Sequence, residues 1–398
     1  LKKYSLATLL KLDPIKEKFF LEDLSIQIKT NPNRYLFLNQ FTQLSFSQAV
    51  ILAEFNGELL SLNGLTQIDE SVAKTLIRFK SKALYLDGLT QIDESVAQVL
   101  SQFQGDVLSL DGLQQLDESI AKILAQSHKW LFLNGLQHLN VSTAMELSQF
   151  QGNLLSLNGL QQIDEAVAQV LSQFQGSMFF LNGLQHIDKA TAKALAQYRG
   201  GLLDLNGLQQ IDEATAKALA QFRGSFLYLN GLQQLDEATA KALAQFSGTP
   251  FRCGNSGGAT SARLYLNKLK QIDISVATAL SNFRGNLFLE GLQEIDLSVA
   301  IAFSQSQAYG LYLNGLTQIN ETIAKALAQF KGNDLYLNGM QEIDEVTAKA
   351  LAQFKGEWFS LEGLQQIDEA TAKAFAQFKG SIFGIEKIKE QIQKYKKK

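Results

Sequence analysis

Few side chains in this sequence are suited to covalent or acid–base chemistry. There are three histidines (His128, His138 and His186) and one cysteine, Cys253. Carboxylates are more frequent, and aspartate followed by glutamate recurs, as at Asp69-Glu70, Asp93-Glu94 and Asp212-Glu213. Such pairs are the material of general acid–base catalysis or of a divalent-cation site. Here they return at a fixed spacing in most copies of one unit, which suits architecture better than a single active site. No histidine falls near a nucleophile by repeat position, and one cysteine builds neither an intrachain disulfide nor a metal cluster. The expectation is therefore a chain that is not an enzyme and holds no cofactor and no metal.

The remaining residues with binding chemistry are aromatic. A residue lying between two leucines is Phe37, Ser61, Tyr85, Ser109, Phe132, Ser156, Phe180, Asp204, Tyr228, Tyr265, Phe288, Tyr312, Tyr336 and Ser360 in successive copies. Two residues earlier stand Trp130, Met178, Phe226, Arg263, Asp334 and Trp358 in their copies. Period-2 spacing places both columns on one face of a short strand. The candidate ligand-binding residues are Tyr85, Trp130, Phe132, Phe180, Tyr228, Tyr265, Phe288, Tyr312, Tyr336 and Trp358. Such a face can dock a polypeptide or a glycan, because aromatics give large contact area at low entropic cost. The same rings can instead stack along the sheet as cross-strand neighbours and simply stabilise it. The residues alone leave both readings open.

The elements that position these columns come from a repeat. The unit L-x-L-N-G-L-x-x-I-D-E-x-x-A-x-x-L-x-x-F-x-G returns every 24 residues, occasionally 23, in fourteen copies from Leu36 to Phe359, and a fifteenth begins at Phe383. A period of this size means stacked units. L-x-L reads as a strand, and Asn-Gly as a corner whose glycine is expected at positive φ. Leu65 to Leu364 and Ile68 to Ile367 read as inward columns. Asp69 and its equivalents, replaced only by Ser45, Asn140 and Asn320, read as caps of a helix of about ten residues. An alanine in every copy, Ala49 to Ala372, implies close helix–sheet approach. Gly105, Gly152 and Gly176 are expected to end helices in the left-handed conformation. Glu70–Lys74, Glu213–Lys217 and Glu345–Lys349 are spaced as i,i+4 pairs. Acidic helix starts and basic helix ends leave one edge acidic and the other basic, which opens a route to edge-to-edge self-association.

This pattern resembles the leucine-rich repeat proteins over residues 36–385. The cysteine-containing type is closest, its C-x-x-I-T-D-x-x-L run paralleling Leu89-Thr90-Gln91-Ile92-Asp93-Glu94 here. It is also similar to short Leu-x-Leu-Asn-Gly-Leu repeats found in large arrays of bacterial proteins. One departure stands out: where the common repeat buries Asn or Cys, this chain has Leu, Phe41 or Met340, so Asn63, Asn134 and Asn158 are expected to supply a different ladder. The resemblance implies an α/β solenoid, a horseshoe with a parallel sheet on the concave face and short helices on the convex face. It also implies a binding role and names no ligand.

The expected organisation is an N-terminal cap over 1–35, a solenoid over 36–382, and a C-terminal cap with a basic tail over 383–398. Between helix and strand of the ninth copy lies an insertion, 248–263, rich in Gly, Ser and Thr. It reads as a flexible insertion or a partner-contact loop, with Phe251, Arg252 and Asn255 as contact candidates. Its Gly254-Asn255-Ser256-Gly257-Gly258 is superficially similar to the nucleophile motif of trypsin-like proteases. The histidines, however, all lie in repeats well before it. Formal net charge is −3, which gives no basic stripe for nucleic acid, and no apolar run spans a bilayer. A start at Leu1 rather than Met points to a processed or truncated product, and the compartment stays open, with an extracellular or cell-surface place favoured over the cytoplasm. The reading is a binding or scaffold module recognising a protein through its concave aromatic face. The alternative is a structural surface protein or adhesin that self-associates or binds glycans.

Overall fold

The computed structural model describes residues 22, 25–26, 34–79, 81–127, 130–248, 262–384 and 386–396. Most of the expected N-terminal cap, most of the insertion with Phe251, Arg252 and Asn255, and the side chains of His128 and Cys253 lie outside the described residues. The chain divides into two units, Leu1–Gly183 and Leu184–Lys398.

The first unit contains the strands β1 (Tyr35–Phe37), β2 (Leu59–Ser61), β3 (Ala83–Tyr85), β4 (Val107–Ser109), β5 (Trp130–Phe132), β6 (Leu154–Ser156) and β7 (Met178–Phe180). Each pairs in parallel with the next, repeat position against repeat position, as Leu60 with Leu84. Between them run the helices α1 (Phe46–Leu52), α2 (Glu70–Leu76), α3 (Glu94–Leu100), α4 (Glu118–Leu124), α5 (Val141–Ser148) and α6 (Glu165–Leu171).

The second unit opens with α7 (Lys189–Leu195) and β8 (Leu202–Asp204), then α8 (Glu213–Leu219), β9 (Phe226–Tyr228) and α9 (Glu237–Leu243). The insertion follows, and then β10 (Arg263–Tyr265), α10 (Ile274–Leu280), β11 (Asn286–Phe288), α11 (Leu297–Ser304), β12 (Gly310–Tyr312) and α12 (Glu321–Leu327). The array closes with β13 (Asp334–Tyr336), α13 (Glu345–Leu351), β14 (Trp358–Ser360), α14 (Glu369–Ala376), β15 (Ser381–Phe383) and α15 (Glu386–Lys396). Its eight strands are also parallel and in sequence order. The insertion leaves the register untouched: Leu227 pairs with Leu264 as if it were absent. At the far end Ile382, rather than Phe383, pairs with Phe359, so the last copy starts one residue earlier than its sequence suggests.

Each core layer is one column of the repeat. Leu60, Leu62, Leu65, Ala73 and Leu76 have no exposed surface, and their equivalents follow suit. The phenylalanine column forms stacks within each unit. Phe55 lies 5.5 Å from Phe79, and Tyr198, Phe222, Phe246 and Phe283 follow one another at 6.0–6.2 Å. The column expected from Ile68 onward is mostly half-buried, because it sits at the corner edge, and Ile367 is an exception. α15 covers the last layer with Ile388 and Ile392, which are buried.

Two glycine columns have a different cause from the one expected. Among the described residues only Gly248 has positive φ, at +50°. Gly105 and Gly176 therefore do not end helices in the left-handed region; the cap residues before them, such as Ser101, are right-handed. A Cβ on Gly105 would instead collide with the Phe103 ring and the Ser81 carbonyl. The coupling is visible in the sequence. Twelve copies carry a ring at this position, and eleven of them have Gly two residues later, Ser81 being the exception. The two copies with Ser127 and Ser306 in place of the ring have Lys129 and Ala308 instead of Gly. The corner glycines are likewise set by contact: a Cβ on Gly64 would overlap the Asn39 carbonyl of the preceding copy.

The helices α1 to α14 are seven or eight residues long, shorter than expected, because a tighter turn takes over at the C-terminus, as where Gln102 N–H donates to the Val99 carbonyl. Their caps are as expected. Asp69 accepts the Val72 N–H at 2.8 Å, Asn140 and Asn320 cap identically, and Ser45 forms a capping box with Gln48. Asp117 alone makes no side-chain cap bond. The i,i+4 pairs Glu70–Lys74, Glu213–Lys217 and Glu345–Lys349 form, as do Glu321–Lys325 and Glu369–Lys373. All are solvent-exposed and contribute little stability.

Capping makes stability depend on acid. The Thr215 side chain and amide bonds hold the Asp212 carboxyl below its ordinary 3.8, and Thr239, Thr347 and Thr371 do the same for Asp236, Asp344 and Asp368. A depressed folded pKa gives stability that is present above 3.8 and lost as pH falls through the folded value. Replacing these four aspartates by Asn keeps the cap and removes the titration. The quadruple variant should melt within a few degrees of the parent at pH 7 and lose less Tm between pH 4 and pH 2. An equal acid loss in both would show that the caps are not its source.

Candidate functional site: the aromatic sheet face

What the sheet face presents is decided by the corner beside it. In the first unit, Asn39, Asn63, Asp87, Asp111, Asn134 and Asn158 each accept, on a side-chain oxygen, the backbone N–H of the equivalent residue one copy on, at 2.8–3.2 Å. The second unit continues the pattern from Asn206 to Asn230 and from Asn230 to Asn267 at 2.8 and 2.9 Å. Asn267 to Glu290 and Asn314 to Asn338 follow at 3.1 and 3.0 Å. At Glu290 the carboxylate still accepts from the next copy, but the donor is the Asn314 side-chain amide, at 2.8 Å. This is the substitute ladder anticipated from Asn63, Asn134 and Asn158. Burial pushes the Asp111 carboxyl up, and its bonds from Asn134 pull the other way.

The ladder also claims the serines between the leucines. Ser61, Ser156 and Ser360 each donate their hydroxyl at 2.7 Å to the corner Asn of the previous copy, and Ser109 donates to Asp87. All four are at most 3% exposed. These outward positions therefore offer nothing to a ligand. The serine hydroxyl bond to this ladder is what the sequence did not disclose at first reading; its signal was the Asn or Asp that stands 22 residues before every such serine.

The candidate aromatics differ between the units. In the first, Tyr85, Phe132 and Phe180 are half-buried, and each alternates with a buried serine in register, as Phe132–Ser156–Phe180. Trp130, on β5, is 41% exposed. In the second, five rings on adjacent strands form one continuous stack. Tyr228, Tyr265, Phe288, Tyr312 and Tyr336 follow at centroid distances of 4.0, 4.1, 4.0 and 4.3 Å, with planes within 20°. Phe288, in the middle, is buried, and the four tyrosines are half-buried. Trp358 is set apart from the stack and packs on Phe383 at 5.1 Å. Burial drives the Tyr228 and Tyr312 hydroxyls well above their ordinary pKa, with neighbouring Tyr265 and Tyr336 adding to the rise. The causes include a hydroxyl–hydroxyl hydrogen bond between Tyr228 and Tyr265 and another between Tyr312 and Tyr336.

Beside the stack runs a second row, Phe226, Arg263, Asn286, Gly310, Asp334 and Trp358, in register on β9 to β14. The Arg263 guanidinium sits 5.0 Å from the Phe226 ring centroid. Asp334 is buried, with its carboxyl pushed up by that burial, and accepts from Asn333 at 2.8 Å. His138 and His186 lie exposed on the corner edge, away from this face. Among the described residues no group of three His, Cys, Asp or Glu side chains gathers to hold a metal. No helix of the described residues is long and apolar enough to cross a membrane.

The arrangement is a leucine-rich-repeat-like α/β solenoid. No protein-family model matches the sequence and no curated protein matches it. Among solved structures, the chain is similar to the complex of Rad7 and Elc1 in yeast, at 12% identity and a TM-score of 0.37, over 89% of this chain and 90% of that one. It is also similar to the glycosylated Toll–Spatzle complex, a hub of development and innate immunity in Drosophila. There the identity is 12% and the TM-score 0.46, over 81% of this chain and 46% of that one.

The ladder can be tested through one node. Asn338 accepts from both the Glu362 N–H and the Ser360 hydroxyl, so Asn338→Ala strands two donors, while Ser360→Ala removes one bond only. Denaturant unfolding should give a loss of about 2–4 kcal/mol for the first and about 1 kcal/mol for the second. Equal losses would mean the corner amide is not what ties the copies together.

Proposed function

We propose that the chain is a non-enzymatic binding module that recognises a protein through the sheet face of its second unit. The observation that carries this reading is the five-ring stack from Tyr228 to Tyr336. Tyr265, Phe288 and Tyr312 are held between two rings and the end tyrosines against one, so little side-chain freedom remains to be lost on binding, which is the usual cost of docking on aromatic residues. Stacking and docking are not rivals here. The stack that stabilises the sheet also makes a stiff surface.

The form of the stack favours polypeptide over sugar. Rings 4.0–4.3 Å apart have used their faces on one another, which leaves their edges for a ligand. A sugar recognised by stacking needs a free ring face, whereas a polypeptide supplies carbonyls and side chains that accept from a row of phenols. The corner amides border the same face and add further polar partners. The residues that could do acid–base chemistry, His138 and His186, stand elsewhere, and the repeated aspartates are engaged in caps.

Random-peptide display panned against the whole protein tests this. Selected peptides should bind the parent and lose binding to the Tyr312→Ala, Tyr336→Ala double variant, whose circular dichroism should be unchanged. Tyr312→Phe with Tyr336→Phe should keep the parent Tm, because the stack survives, yet weaken the same peptides. Binders that ignore both pairs of substitutions would sink the reading.

A further inference from the structure

Arg263 is the only cation in its row. The equivalent residue is Phe226 before it, and Asn286, Gly310, Asp334 and Trp358 after it. Its guanidinium lies over the Phe226 ring, and its Nε is shut off from solvent with no hydrogen-bond partner. A buried N–H without an acceptor is uncommon in a folded protein and calls for an explanation. Among the described residues no carboxylate forms an ion pair with it. The two carboxylates on this face are otherwise engaged: Asp334 accepts from Asn333, and Asp204 accepts from the Asn206 N–H. The neighbouring amide is turned away as well. The Asn286 Oδ1 reaches over Gly310, where it would lie 2.5 Å from a Cβ, on the side away from β10.

The charge of Arg263 nonetheless reaches the tyrosine stack. Burial raises the hydroxyls of Tyr228, Tyr312 and Tyr336, and Arg263 works against that rise at all three. The guanidinium is thus set near the tyrosine stack, and its Nε is given no acceptor. A guanidinium fork matches a carboxylate in a planar, two-point geometry. Phenol hydroxyls alongside add donors to the same oxygens.

We propose that Arg263, with the hydroxyls of the adjoining tyrosine stack, forms a carboxylate-recognition point that takes an Asp or Glu side chain of an acidic peptide. This rests on the reading that the second unit's sheet face receives a protein, and it specifies the partner as one with an acidic residue at the contact. An Arg held against an aromatic ring has lost part of its hydration before the ligand arrives, so the incoming carboxylate meets a donor already fixed in place.

The test uses the full chain and two fluorescein-labelled decapeptides, one alternating Glu with Leu and the other Gln with Leu, followed by fluorescence anisotropy. The parent should bind the Glu peptide about tenfold or more tightly than the Gln peptide, with an affinity that falls as salt is raised. Arg263→Gln should abolish that preference, and Arg263→Lys should keep part of it, since the charge remains without the fork. Arg284→Gln, which removes a guanidinium bonded to Gln307 on the copy edge, should leave it unchanged. Equal binding of the Glu peptide by the parent, Arg263→Gln and Arg263→Lys would overturn the proposal. So would failure of the parent to bind the Glu peptide at all. If the parent binds both peptides equally and the Tyr312→Ala, Tyr336→Ala variant loses both, the carboxylate point falls and the protein-binding face stands. If that variant also binds as the parent does, both fall.

Discussion

The constraint on which everything else depends is how closely one repeat's corner lies on the next. Gly64, Gly88, Gly159 and their equivalents approach the carbonyls of the previous corner so nearly that no Cβ fits. That approach brings each corner Asn oxygen within reach of the next backbone N–H. Where this contact recurs the strands of each unit keep one register, and across the inserted segment Asn230 still meets Asn267. The even translation that results is what allows equivalent side chains to stack. The phenylalanine stacks in the core and the tyrosine stack on the sheet face are two readouts of one spacing.

Much of this was legible in the sequence because it lies within a single copy. The leucine columns, the alanine column and the caps follow from short-range periodicity, and every cap substitute, Ser45, Asn140 and Asn320, does accept a backbone N–H. What was not legible lies between copies. A glycine at a corner signals either positive φ or a close approach, and one sequence position cannot separate the two; only Gly248 has positive φ among the described residues. The serines at 61, 109, 156 and 360 looked like small, outward residues, since their partner stands 22 residues earlier. Arg263 was visible as variation in a column, but its isolated Nε is a fact of three dimensions. The aromatic stripe itself was correctly placed, while the direction its rings face was beyond any pattern of residue types.

The spacing between rings follows from which residues alternate, and it differs between the two units. Parallel strands are about 4.8 Å apart. A ring whose neighbours are both serines has roughly twice that distance to itself and can recline across them. The near-complete burial of Ser61, Ser109 and Ser156 fits rings lying over them. Five consecutive rings have no such room. They stand against one another at 4.0–4.3 Å, closer than the strands, which requires all of them to tilt alike. Tilting is then collective, because one ring cannot lie down unless its neighbours move too. The first unit thus spaces its rings apart with serines between them, and the second stacks them face to face. The change from alternation to continuity at Tyr228 therefore alters the chemistry of the face without altering the fold beneath it.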